Sequence, residues 1–359
     1  MRVLPRALSR RFLRMQRREQ PAAPRRILVA QHLLTGDVLM LTPLLAKLRE
    51  RHPDADIVLT TRRAVAPLYA GRPYGVRALV YEPREAATLT QLLDEPGFEL
   101  AFVPGDNRYS WLAAAAGARW IVAFAGDRPA TKSWPVDDLR PYSEVPAAWG
   151  DMVAGLADGP PPRAYRPADW PAPACAPFDA PKGRYAVLHV EASTPLKHWE
   201  ERKWLALAEK IQEQAITPIW SAGPTGEALL QRIDPSGRFP ALGHRLDLAQ
   251  LWHLVAGAAL LVCPDTSVMH IGRLTGTPTV ALFGPSSAQL YGPGDFWRDV
   301  PGRAVTIENF PCRDQHRLFK RELVWIQRCQ RTTSECSAPR CMHAIEVEAV
   351  ARVALEIVR

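Results

Sequence analysis

Residues 259–287 read ALLVCPDTSVMHIGRLTGTPTVALFGPSS. The apolar run Ala258–Cys263 has no polar interruption, the pattern of a strand buried on both faces. Pro264-Asp265-Thr266-Ser267 stops it, and Met269–Leu274 predicts a helix. A second apolar run, Thr279–Phe283, ends at Gly284-Pro285. Strand, polar turn, helix, Gly-Thr-Pro turn and strand make one βαβ unit of a parallel sheet. Ligands of such sheets bind beyond the carboxyl ends of the strands. Asp265, Thr266, Ser267 and His270 all fall at one such end. The first N–H groups of the helix and the positive end of its dipole suit a phosphate there. Asp265 and Thr266 suit a plain helix cap equally well.

Working outward, the same alternation runs through the chain. Arg26–Gln31 predicts a first central strand, His32–Asp37 a turn, and Val38–His52 a helix with Leu41, Leu44, Leu45 and Leu48 on one face. Strands follow at Ile57–Thr60, Ala78–Tyr81, Leu100–Val103 and Trp120–Phe124. In the second half Tyr185–Val190 and Ile216–Ser221 are strands, Glu200–Gln214 is a helix, and Ile345–Val358 closes as an amphipathic helix. Strands alternating with helices at this spacing predict a doubly wound α/β architecture. Residues 159–183 carry eight prolines, a semi-rigid connection between two domains. The organisation expected is a basic tail (1–24), a first domain (25–158), the linker (159–183), a second domain (184–345) and a terminal helix (346–359).

The 359 residues hold enough apolar side chains (47 %) to bury two cores, which excludes a wholly disordered chain. No stretch reaches the 18 apolar residues a membrane span needs, and no signal-peptide core appears. Six cysteines in this setting predict a reducing compartment, hence a cytoplasmic protein. The net charge of +8 is concentrated in Met1–Gln20, with seven arginines, one glutamate and interleaved apolar residues. That pattern reads either as a loose basic tail or as a peripheral segment on an anionic membrane surface. No aromatic-basic interleaving or recognised module points to nucleic acid. Cys312, Cys329, Cys336 and Cys341 read as ordinary thiols or as ligands of a zinc or iron ion, and their spacing leaves the metal open. His244 reads as a surface histidine.

The central stretch resembles the D-T-G-x-x-H…G-T-P-x-x-x-x-F/Y-G-P signature of glycosyltransferase family 9, the bacterial heptosyltransferases of lipopolysaccharide synthesis. Asp265, Thr266, His270, Gly276, Thr277, Pro278, Phe283, Gly284 and Pro285 match it; Ser267 stands where the family usually has Gly. Residues 27–57 resemble the family's opening segment, I-L-V-x-R-x-x-x-x-G-D-V…T-P-x-L, with Gln31 in place of a frequent Arg. His189, Lys197, His198, Trp199 and Trp204 keep the spacing of the donor loop of the heptosyltransferase I branch.

The resemblance implies a GT-B fold, two Rossmann-like doubly wound parallel-sheet domains facing across a cleft. It implies inverting transfer with Asp37 as general base and no cofactor required. The donor is ADP-heptose or another nucleotide-sugar, and the acceptor a lipopolysaccharide inner-core glycan at the cytoplasmic face of the inner membrane. Lys197 maps to the lysine on the donor diphosphate, with Ser193 and Thr194 as nearby hydroxyls, and Glu227 to the carboxylate on the donor ribose. Asp265, Thr266, Ser267 and His270 complete the donor set. On local grounds Asp37 and Glu227 suit helix first turns, and Lys197 a solvated surface charge, just as well. A nucleotide-binding regulatory module and a tethered structural protein remain alternatives; the first needs no base, the second binds no sugar-nucleotide.

Overall fold

The computed structural model describes residues 3–12, 19–242 and 245–358. Met1, Arg2 and residues 13–18 of the basic segment lie outside the described residues, as does His244. The chain divides into two compact units, Met1–Arg163 with Arg317–Trp325, and Ala164–His316 with Ile326–Arg359.

In the first unit six strands, β1 (Arg26–Val29), β2 (Asp56–Thr61), β3 (Val76–Val80), β4 (Leu100–Val103), β5 (Trp120–Phe124) and β6 (Asp138–Arg140), pair in parallel. Their order is β3-β2-β1-β4-β5-β6. The winding therefore reverses between β1 and β4, where ligands of open α/β sheets bind. Helices α1 (Val3–Phe12), α2 (Thr35–Leu39), α3 (Thr42–Arg51), α4 (Ala86–Asp94), α5 (Tyr109–Ala115) and α6 (Trp149–Ala154) complete the unit.

Ten residues of the expected basic tail (1–24) are thus helix. Ala7 of α1 is buried against the cluster that contains Leu92, Leu93, Phe98 and Leu112, and Arg6 donates to Leu93 O at 2.6 Å. The single helix expected over Val38–His52 is instead two. Pro43 has no N–H to offer the preceding turn and is accommodated only in a first turn, so the chain restarts as α3. Thr42 Oγ1 donates to Leu39 O at 2.5 Å across the break. Asp37, expected in the turn, lies in the first turn of α2.

In the second unit β7 (Tyr185–His189), β8 (Thr217–Ser221), β9 (Leu260–Pro264), β10 (Thr279–Phe283) and β11 (Gly302–Thr306) are parallel in the order β11-β10-β9-β7-β8. Here the winding reverses between β7 and β9. Helices α7 (Glu201–Gln212), α8 (Glu227–Ile233), α9 (Leu248–Ala256), α10 (Ser267–Thr275), α11 (Ala288–Tyr291), α12 (Arg340–His343) and α13 (Val347–Ile357) cover the sheet. β7, β9 and β10 are buried along their whole length, as their unbroken apolar runs require. The quoted stretch is β9–α10–β10. Gly276 ends α10 at φ 74°, the left-handed C-cap that favours glycine. Thr277 Oγ1 then donates to Val255 O at 2.8 Å, tying the turn to α9.

Two segments depart from the expected organisation. The proline-rich connection is anchored in the second unit: Tyr165 donates its hydroxyl to Leu274 O at 2.6 Å, and Trp170 stacks on Trp252. Residues 184–345, expected as one domain, give up Arg317–Trp325 to the first unit. This excursion is a hairpin pairing Arg317–Leu318 with Arg321–Glu322. Phe319 and Lys320 both have positive φ, the conformation of a two-residue hairpin loop whose twist matches its strands.

Candidate functional site

In the second unit the reversal point between β7 and β9 assembles a charged cluster. Lys197 ends the short turn Pro195–Lys197 that follows β7, and Asp265 follows β9 directly. Lys197 Nζ donates to Asp265 Oδ2 at 2.6 Å and to Asp265 O at 3.1 Å. An ammonium has three protons, so one N–H remains beyond these two bonds. Ser286 Oγ donates to the same Asp265 Oδ2. The Asp265 side chain is 8 % exposed and that of Lys197 22 %.

Thr266 is the N-cap of α10 and Ser267 its first residue; the Thr266 side chain makes no capping bond. The first-turn N–H groups of such a helix lack intrahelical partners. His270 is buried in α10, and its Nδ1 accepts from Arg273 Nη1 at 3.2 Å. Since guanidinium only donates, His270 carries its proton on Nε2 when neutral. Burial, reinforced by the charges of Arg273 and Lys197, holds this imidazole well below its usual range. Burial also brings the Arg273 guanidinium down to about 10. Arg273 in turn donates to Tyr291 O at 2.7 Å and lies over the Trp297 ring.

The remaining expected donor residues stand apart from this cluster. Thr194 Oγ1 accepts from Leu196 N at 3.4 Å, so it caps the turn that carries Lys197. Ser193 is exposed, and Glu227 is the exposed first residue of α8. Among the described residues, no hydrogen bond joins Ser193 or Glu227 to Lys197 or Asp265. The carboxylate that shapes this corner is Glu191: Oε2 accepts from Gly223 N at 2.7 Å and Oε1 from Thr225 Oγ1 at 3.0 Å.

In the first unit Asp37 is half-buried just after β1, at that sheet's own reversal point. Beyond the neighbouring strands, Arg321 of the hairpin is buried among six acceptors, one of them Phe319 O of its own hairpin at 3.3 Å. It donates to Ala125 O (2.8 Å), Gly105 O (3.0 Å), Asn107 Oδ1 (2.7 Å) and Phe124 O (3.3 Å), and pairs with Asp127 Oδ2 at 3.6 Å. Asp127 also accepts from Asn107 N and Lys132 Nζ.

The C-terminal cysteines do not converge as a set of four. Burial, with the neighbouring Cys329 thiol, pushes the Cys312 thiol up. Burial, with neighbouring thiols, raises the Cys341 thiol to about 11, while Cys336 Sγ donates to Ala338 O at 3.4 Å. Among the described residues, no three His, Cys, Asp or Glu side chains form a group able to hold a metal ion.

Ser286, Arg273, Glu191 and Arg321 were not singled out from sequence. Ser286 was legible: it follows β10, the neighbour of β9, so its hydroxyl comes to the same sheet edge as Asp265. Arg321 had little local signal, because all of its hydrogen-bond partners but Phe319 O lie about 200 residues earlier.

A sequence model described as glycosyltransferase family 9 (heptosyltransferase) matches residues 156–320. Lipopolysaccharide heptosyltransferase 1 of Pseudomonas aeruginosa is 25 % identical over 294 residues, covering 74 % of this chain and 81 % of the relative. Lipopolysaccharide heptosyltransferase 3 of Escherichia coli is 22 % identical over 312 residues, covering 78 % and 89 %. The structure of E. coli ADP-heptose lipopolysaccharide heptosyltransferase II superimposes with a TM-score of 0.69 at 16 % identity, over 93 % of this chain and 98 % of that one. Two Rossmann-like parallel sheets of six and five strands agree with the GT-B fold of that structure. The β9–α10–β10 signature lies within the matched residues 156–320, over which the chain is similar to glycosyltransferase family 9, and these likenesses support a glycosyltransferase.

Proposed function

We propose that the enzyme transfers a heptose from ADP-heptose to a lipopolysaccharide inner-core acceptor with inversion at the anomeric carbon. The observation that carries this reading is the Lys197–Asp265–Ser286 cluster at the N-terminus of α10, on the reversal point of the second sheet. The remaining N–H of Lys197 and the first-turn N–H groups near Thr266 and Ser267 offset charge on the departing diphosphate. Asp265, held by Lys197 and Ser286, presents acceptor lone pairs to sugar hydroxyls. The neutral His270, with its proton on Nε2, adds a donor without adding charge, and Glu227 takes the ribose hydroxyls.

In the reaction Asp37 takes the proton of the acceptor hydroxyl as that oxygen bonds to the anomeric carbon. The bond from that carbon to the phosphate oxygen breaks, and the electron pair leaves with the nucleoside diphosphate. Positive charge comes from the chain's own lysine and helix end, so the proposed step requires no cofactor. The relatives' names support the donor sugar and the acceptor class.

One observation favours a second donor. Ser267 puts a side chain where the family's glycine lets the backbone approach closely, so a different nucleotide-sugar is the alternative. Calorimetric titration with ADP-, UDP- and GDP-sugars, followed by transfer to an inner-core oligosaccharide, decides between them. Binding to none of the three classes would sink the transferase reading.

We place the enzyme at the cytoplasmic face of the inner membrane. Leu4 and Leu8 of α1 are exposed on a segment that holds seven arginines, a composition that suits an anionic surface. Removing residues 1–20 is expected to reduce association with anionic vesicles; undiminished association would rule the segment out as an anchor. Among the described residues no helix is long and apolar enough to cross a membrane.

A further inference from the structure

Arg273 is a buried cation that no step above uses. It stands on α10 three residues after His270, so the two share one face of the helix. It is 6 % exposed, and among the described residues it makes no salt bridge. Its contacts are instead His270 Nδ1 at 3.2 Å, Tyr291 O at 2.7 Å, Met269 Sδ at 3.6 Å and the face of the Trp297 ring. The carboxylate whose charge reaches it is Asp265, which is already bonded to Lys197. Two cations therefore share one carboxylate. A buried charge without a carboxylate of its own is costly, so stability alone does not favour an arginine here.

Its two hydrogen bonds run to two parts of the donor site. The first takes the lone pair of His270 Nδ1, and the bond made by one ring nitrogen decides which nitrogen carries the proton. The other nitrogen, Nε2, has no protein partner among the described residues, and it is not one of the fully buried unpaired atoms, so it reaches the open side of the ring. The charges facing this imidazole are Arg273, from its own helix, and Lys197, from the turn after β7. The second bond goes to the carbonyl of Tyr291, the last residue of α11. That short helix begins two residues after Ser286, which donates to Asp265. One guanidinium thus ties α10 to the segment that follows β10.

We propose that Arg273 is a positioning residue of the donor site: it holds the His270 ring with Nε2–H turned to the nucleotide diphosphate, and it fixes the Ser286–Tyr291 segment against α10. Arg273 touches no substrate itself. With Nδ1 committed to the guanidinium, the ring has one proton to offer and one direction in which to offer it. Beside two cations the ring stays neutral, so it donates to the diphosphate without competing with Lys197 for Asp265. The proposal rests on the donor reading of the Lys197–Asp265–Ser286 cluster and adds the group that orients His270 within it.

The test combines nitrogen NMR of the full chain labelled at histidine with calorimetric titration of ADP. The His270 signals are those lost in His270→Ala. Ligand-free wild type is expected to show a neutral ring protonated on Nε2 between pH 6 and 8, while Arg273→Met shows the Nδ1–H tautomer or a protonated ring in the same window. ADP should bind about tenfold more weakly to Arg273→Met and to His270→Ala. The double variant should lose about tenfold rather than a hundredfold, because the arginine acts through the imidazole. A ring protonated on Nδ1 in wild type would overturn the proposal. So would losses that multiply in the double variant, or an Arg273→Met protein with the wild-type tautomer and ADP affinity. If Arg273→Met does not fold, the wild-type spectra and Arg273→Lys decide: the ammonium keeps the charge but cannot reach both acceptors, so full wild-type ADP affinity there would also overturn the assignment. A wild type that binds no ADP would instead sink the donor reading, and the ligand-free spectra would still settle whether Arg273 sets the His270 tautomer.

Discussion

Lys197 Nζ and Asp265 Oδ2, 68 residues apart in sequence, meet at 2.6 Å where the second sheet reverses its winding. The pair assigns two roles with opposite charge dependence. Lys197→Ala removes a charge-assisted contact worth roughly 1.5–3 kcal/mol and should weaken ADP binding about 10- to 100-fold. It also leaves Asp265 nearly buried without its cation, so a lower melting temperature should accompany the loss. Asp265→Asn removes a negative charge beside the diphosphate. It should leave ADP affinity unchanged or improved while discrimination between ADP-sugars falls. Calorimetry with ADP and with ADP-sugars separates the outcomes; parallel losses in both variants would mean the pair is purely structural.

Asp37 follows from position rather than from its bonds. If it is the base, Asp37→Ala should lower turnover about 10²- to 10⁴-fold while the donor Kd stays within a few-fold. Single-turnover transfer measured beside donor titration checks this. Turnover near the wild-type level would remove Asp37 from the mechanism.

His189 gives a pH signature of the fold. It ends β7, fully buried, with Nδ1 3.0 Å from Ser221 Oγ, and burial lowers its pKa to about 4. The unfolded chain takes up this proton near pH 6.5, the folded chain only near pH 4. Stability is therefore complete above about pH 6.5 and falls as pH drops toward 4, by roughly 3 kcal/mol from this group. Urea unfolding across that window should show the slope in wild type and a shallower one in His189→Gln. Identical slopes would mean His189 stays neutral in both states or is not buried.

Arg321 braces the first unit from a distant part of the chain. Arg321→Ala strands Gly105 O, Asn107 Oδ1 and Ala125 O in the interior and should lower unfolding free energy by at least about 2 kcal/mol. Arg321→Lys should recover little, because an ammonium cannot span the directions a guanidinium fork serves. Denaturant unfolding of both variants tests this. A silent Arg321→Ala would show that the hairpin is not held by its buried arginine.

The α/β alternation, the βαβ unit at residues 259–287 and the placing of Asp37, Lys197, Asp265 and His270 at strand ends were legible in the sequence. Buried parallel strands must be continuous apolar runs, and the turns between strand and helix carry Pro, Gly and Asp for local steric reasons. These signals lie within a few residues of what they specify. The break at Pro43 was also local and could have been read from the ring's missing N–H.

What the tertiary structure decided concerns partners far apart in the chain. It closed Lys197 onto Asp265 and brought Ser286 to the same carboxylate. It drew Arg317–Trp325 out of the second half of the chain and into the first unit. It also left Trp134 exposed, where composition would have placed a tryptophan inside. Burial and long-range hydrogen bonding depend on which surfaces meet, and residue type alone does not encode that. Sequence fixes a residue's place along its own strand or helix; only packing sets which charges are paired and which remain for a ligand.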